Sequence, residues 1–149
     1  MASRTVAVLI ALILLEAGCV DQPNPVPPPG GTVPVDRLSQ MGIFQGNLAD
    51  LVPVAGIVAY DVNVSLYADG AEKHRFVFVP PGTRIQTTPD RWIAPEGAYF
   101  IKNFYFPNDA RDPNQGIHLI ETRFLIQGDA GLTVSTYLWN DQQTDAVAS

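Results

Sequence analysis

Between residues 76 and 139 the apolar positions recur with a period of two or in short unbroken runs, and neither pattern suits a helix. Phe76-Val77-Phe78-Val79 is a continuous apolar run closed by Pro80-Pro81-Gly82, a stop followed by a turn. Residues 97–106 (GAYFIKNFYF) are rich in aromatic side chains and end at Pro107. Residues 117–127 and 132–139 flank Gly128-Asp129-Ala130-Gly131, which predicts a β-hairpin with a four-residue, glycine-bounded loop. Within it Ile120, Thr122, Phe124 and Ile126 share one face, and Leu132, Val134, Thr136 and Leu138 supply the apolar face opposite. Glu121 and Arg123 fall on the other, solvated side. β-Branched and aromatic residues dominate these runs, as a pleated, half-buried surface prefers. Upstream, residues 38–44 fit one helical turn with Asp36 as its N-cap, kept short by Gly42, Gly46 and Pro53. The fold class expected is all-β: an antiparallel sheet, as a small sandwich or open barrel, with a short N-terminal helical turn.

The first part of the chain obeys a different pattern. Arg4 precedes a ten-residue apolar run, VAVLIALILL, which is half the length a membrane-spanning helix needs and fits the apolar core of a secretory signal. Ala17-Gly18-Cys19 follows, and here the chain resembles a bacterial lipoprotein signal, in which the cysteine is lipidated after cleavage. Cys19 is the only cysteine, so a disulfide within the chain does not compete for it. In Gram-negative members of that family a residue such as Val20 after the cysteine, in place of Asp, implies sorting to the outer membrane. Six of the thirteen prolines lie between Pro23 and Pro34, and proline both fixes φ and removes a ladder donor. That stretch reads as an extended tether. The organisation expected is a lipoprotein-type signal over 1–18, the lipidated cysteine and tether over 19–36, a β-domain over 37–146 and a tail over 147–149.

Composition narrows the chemistry. The 149 residues carry nine Lys+Arg against fifteen Asp+Glu, a formal charge of −6, which disfavours nucleic acid as a partner. One cysteine and two histidines leave no zinc set of Cys and His. Hydrolase, phosphate-loop and dinucleotide motifs are absent. His74, within Glu72-Lys73-His74-Arg75, reads as part of a solvated charge cluster at a strand entrance, and His118 as a sheet-face histidine. Residues 108–116 gather oxygen ligands but lack the alternating order of a calcium loop and read as a turn. Aromatic residues remain as candidates for ligand contact, with Trp92, Trp139 and Tyr105 the residues of choice for a sugar-stacking platform.

The order of the strand motifs carries a second resemblance. Tyr60-Asp61-Val62-Asn63, Leu66-Tyr67 and Asp69 are followed by Lys73-His74-Arg75-Phe76 and Val79-Pro80-Pro81-Gly82. Then come Ile101-Lys102, Phe104-Tyr105-Phe106-Pro107, Arg111-Asp112-Pro113 and Leu119-Ile120-Glu121-Thr122-Arg123. Tyr137-Leu138-Trp139-Asn140 and Gln143-Thr144-Asp145-Ala146 end the series. Over residues 38–146 the chain resembles the N-terminal region of exported bacterial proteins commonly labelled diheme c-type cytochromes. The resemblance implies the non-haem accessory part of an electron-transfer protein, not an enzyme, with a cytochrome or dehydrogenase as partner. Haem c is implied only for a downstream domain, because no C-x-x-C-H attachment site occurs in these residues. The alternative is an extracytoplasmic ligand-binding module, with polysaccharide as the ligand of an aromatic platform.

Overall fold

The computed structural model describes residues 35–149, so the signal, Cys19 and most of the tether lie outside the described residues. Six strands form one antiparallel sheet: β1 (Ile57–Ala59), β2 (Glu72–Phe78), β5 (Tyr99–Pro107), β6 (Ile117–Gly128), β7 (Gly131–Trp139) and β8 (Ala146–Ala148), adjacent in that order. A separate two-stranded ribbon, β3 (Gln86–Thr87) and β4 (Trp92–Ile93), lies in the connection between β2 and β5. The class is the all-β one expected, and the sheet stays open rather than closing into a barrel. Short 3-10 turns are the only helical elements among the described residues.

One face of the sheet carries the core. Phe78 stacks on Tyr99 at 4.9 Å, Tyr99 meets Phe124 at 6.2 Å, and Phe124 packs edge-on to Tyr137 at 5.7 Å, an aromatic row crossing β2, β5, β6 and β7. The N-terminal segment supplies the cover: Leu38, Met41, Ile43, Phe44 and Leu51 are all buried against this face. Leu38–Met41 is the helical turn expected, but Arg37, not Asp36, occupies the N-cap, and the Gln40 side chain reaches back to the Arg37 N–H. The carboxylate of Asp145 accepts hydrogen bonds from the Ser39 backbone N–H (3.1 Å) and hydroxyl (2.7 Å). Ala148 donates to the Asp36 carbonyl, so residues 147–149, expected as a tail, belong to the fold and β8 fastens its two ends together.

The hairpin differs from its sequence reading in two ways. Gly128 and Gly131 pair with each other, so the turn is Asp129-Ala130 alone. The inward face of β7 consists of Ser135, Tyr137 and Trp139, whereas Leu132, Val134 and Leu138 are exposed. Both alternating sets of β7 contain apolar residues, and the larger Tyr137 and Trp139 bury more surface. On β6, Phe104 pairs with Glu121 and Tyr105 with Leu119, leaving Ile120 unpaired in a β-bulge. The bulge reverses the alternation below Glu121, so Leu119 enters the core and Ile120 leaves it. Gln143 accounts for the exposed ladder there: Leu119 N–H donates to its Oε1 (2.6 Å) and its Nε2 donates to the Leu119 carbonyl (3.0 Å).

Candidate cationic groove

The residues chosen from the sequence as an aromatic platform do not come together. Trp139 is only 9% exposed, and its indole N–H donates to the Thr122 hydroxyl (3.0 Å), which in turn donates to the Asn103 side-chain oxygen (2.7 Å). This network lies in the core because Trp139 falls on the inward face of β7. Tyr105 is 8% exposed and donates to a Glu72 carboxylate oxygen (2.9 Å); burial, then the Glu72 hydrogen bond, pushes its hydroxyl up to about 12. Trp92 alone is open, at 67%, on the small β3–β4 ribbon outside the six-stranded sheet.

His74 stacks on the Tyr105 ring with centroids 4.4 Å apart. Partial burial lowers its pKa, opposed by the nearby Glu72 carboxylate. Its sequence neighbours Lys73 and Arg75 take the opposite face of β2, so the charge cluster read from the sequence is split by the pleat. His118 is exposed at the start of β6. In residues 108–116 the carboxylates serve the loop itself: Asp109 binds the Arg111 guanidinium, and Asp112 accepts from Asn114 and Gln115. No cluster of three or more His, Cys, Asp or Glu suited to a metal ion occurs among the described residues.

The outer face of the sheet holds a different constellation. Arg75, Lys102 and Arg123 are direct register partners across β2, β5 and β6, forming a row of three cations. Lys73 adds a fourth one step along β2, so both lysines of the chain lie here. Like charges placed directly opposite on neighbouring strands destabilise a sheet. The segment between β1 and β2 runs beside this row and makes it one wall of a groove of about 640 Å³. Phe104 lies between two of the cations, 5.4 Å from Lys73 Nζ and 4.8 Å from the Arg123 guanidinium.

Each flanking cation has a local partner. Arg75 is almost fully buried and donates to Asp61 (2.9 Å), to the Ser65 hydroxyl (3.1 Å) and to the Lys73 carbonyl (3.3 Å). Arg123 pairs with Glu121 two residues away (2.6 Å), and Lys73 donates to the Leu66 carbonyl (2.9 Å). Lys102, in the middle of the row, makes no ion pair with a described residue. Lys73, Arg75, Lys102 and Arg123 line the groove with the carboxylates of Asp69 and Glu121, and Asp61 pairs with Arg75, whereas Glu72 is engaged by Tyr105 on the other face; one positive charge is left over. Apolar side chains of Val62, Leu66, Phe106 and Ile120 complete the lining. Of Ile120 the bulge is the cause, since an unbroken ladder would have turned it toward the core.

Lys102 and its alignment with Arg75 and Arg123 escape sequence reasoning because pairing partners are set by strand register. The available signal was charge at alternate positions, at Lys73 and Arg75 and again at Glu121 and Arg123, on strands whose other face is apolar. No known family model matches the chain, and neither does any curated protein or solved structure.

Proposed function

We propose that the β-domain is a non-catalytic binding module of the cell envelope, carried by a lipidated Cys19 on the proline-rich tether, with the cationic groove as its binding surface. The observation that carries this reading is the row Arg75–Lys102–Arg123, whose central charge has no ionic partner among the described residues. Folding alone gives no reason to align three cations on adjacent strands, whereas a bound group of opposite charge does. Stacking by Trp139 and Tyr105 has no part in it, since both belong to the core face.

A second reading shares the surface. Four of the segments that carry the cytochrome-family resemblance, at 60–69, 73–76, 101–107 and 119–123, also contribute residues to the groove, and those at 79–82, 111–113, 137–140 and 143–146 do not. In that reading the occupant is a haem-carrying or dehydrogenase partner, and the domain is the accessory part of an electron-transfer protein. Haem absorbance co-eluting with the full chain from mildly solubilised envelopes is then expected, and its absence refutes the second reading.

Hydrogen exchange tests the groove as a binding surface. Amides of 60–71 and of β2, β5 and β6 beside the groove should exchange more slowly in envelope vesicles than in chain refolded away from envelope components. Equal exchange in the two preparations, or protection confined to the β3–β4 ribbon, would refute the assignment.

A further inference from the structure

We infer that the groove binds a mono-anionic amphiphile, a carboxylate joined to an apolar chain or ring; this rests on the groove being the module's binding surface. Charge sets the head. With Asp61 counted through its pair with Arg75, the four groove cations exceed the carboxylates by one, and Lys102 is the cation of the row without an ion pair to a described residue, between two guanidinium groups that have acidic partners. A singly charged carboxylate balances that surplus, and a doubly charged group would exceed it. Arg75 is held in place by three hydrogen bonds, so its side of the site is already ordered before a ligand arrives.

The body follows from what borders the cations. Phe104 shares its face with Lys102 two residues away and is flanked by Lys73 and Arg123, so a head on Lys102 has an aromatic surface beside it. Farther along, Val62 and Phe106 are 40% and 42% exposed, and Leu66 in the bordering segment is 82% exposed. A hydrated ion would leave that surface uncovered, whereas an apolar chain removes it from water. The volume of the groove lies within the range of small-molecule sites.

Octanoate, octanol and acetate separate head from body, with the full chain carrying Cys19→Ser as the protein. Calorimetry gives affinity and amide chemical shifts give position. Octanoate should shift the amides of Lys102, Arg123 and residues 60–71, and Lys102→Gln should weaken it by about tenfold or more, as loss of a charge-assisted contact does. Trp92→Ala, altered on the separate ribbon, should bind as the parent does. Octanol binding in the groove as tightly as octanoate would overturn the anionic head while leaving the groove as the binding surface. Acetate binding as tightly as octanoate would overturn the apolar body. Octanoate binding that Lys102→Gln leaves unchanged would overturn the carboxylate head on Lys102, and failure of all three to shift groove amides would overturn the inference, the surface itself falling only if the envelope-vesicle exchange test fails as well.

Discussion

Replacing Lys102 by glutamine should make the protein more stable. Lys102 lies directly opposite Arg75 on one side and Arg123 on the other, and it has no acidic partner among the described residues. Charged ends about 7 Å apart in water repel by about 0.6 kcal/mol, and cross-strand pairs measured on sheets span about 0.2–1 kcal/mol. Two such pairs, reduced by the existing neutralisation of both arginines, give a gain of about 0.5–1.5 kcal/mol at low ionic strength. For a domain of this size a gain of about 1 kcal/mol raises Tm by about 4 °C. Urea unfolding of the full chain in the Cys19→Ser background measures it, with the buried Trp139 as the fluorescent reporter. In 1 M salt the screening length is about 3 Å, so most of the gain should vanish. Glu121→Gln, which strips the anion from Arg123, should act in the opposite direction and with the same salt dependence. A destabilised Lys102→Gln would show that Lys102 serves the fold, and a gain indifferent to salt would show that the cation row carries no electrostatic cost.

Three further predictions concern the bulge, the response to acid and the anchor. Gln143→Ala leaves the Leu119 N–H and carbonyl without their side-chain partners beside the bulge; a loss of about 1–3 kcal/mol is expected in the same urea assay, with faster amide exchange at Leu119. Acidification should act in two stages: His74, whose folded pKa is lowered, is protonated more readily when unfolded, so stability begins to fall as pH drops below about 6.5. Burial raises the pKa of Asp145, but its bonds to Ser39 and Ala146 and the charge of Arg37 outweigh this, so its contribution is lost as pH falls through the lowered carboxylate range. Thermal melts across pH should show His74→Leu abolishing the first stage and Asp145→Asn diminishing the second. Cys19→Ser should shift the protein from the membrane to the soluble fraction on fractionation, and unchanged partition would remove the lipid anchor.

Strand-forming segments are legible in the sequence because their cause is local. Phe76 to Val79, 97–106, 117–127 and 132–139 carry period-two or unbroken apolar patterns between turn residues, and each lies in or overlaps a strand of the large sheet. Turn chemistry at Pro80-Pro81-Gly82 and Gly128-Asp129 is local in the same sense. The strands Ile57–Ala59 and Ala146–Ala148 are short and lack a periodic signal of their own; β1 exists through pairing with β2, and β8 through β7 and the Ser39–Asp145 contacts. Which face of β7 is inward could not be read from alternation, since Val134 and Leu138 compete with Tyr137 and Trp139 for burial. The two-faced apolar pattern is settled by tertiary packing, in which Tyr137 and Trp139 join the core that Leu38, Met41, Ile43, Phe44 and Leu51 complete.

The groove required tertiary structure throughout. Arg75, Lys102 and Arg123 are separated along the chain and become a row only through the register of β2, β5 and β6. One unpaired residue, Ile120, then decides which side chains below Glu121 face the groove and which the core. The amino-acid sequence alone determined that this chain makes antiparallel strands, because alternation and turn preference act within a few residues. Where its charges meet was decided by pairing between distant strands, because register and a bulge set side-chain faces over distances that no local pattern spans.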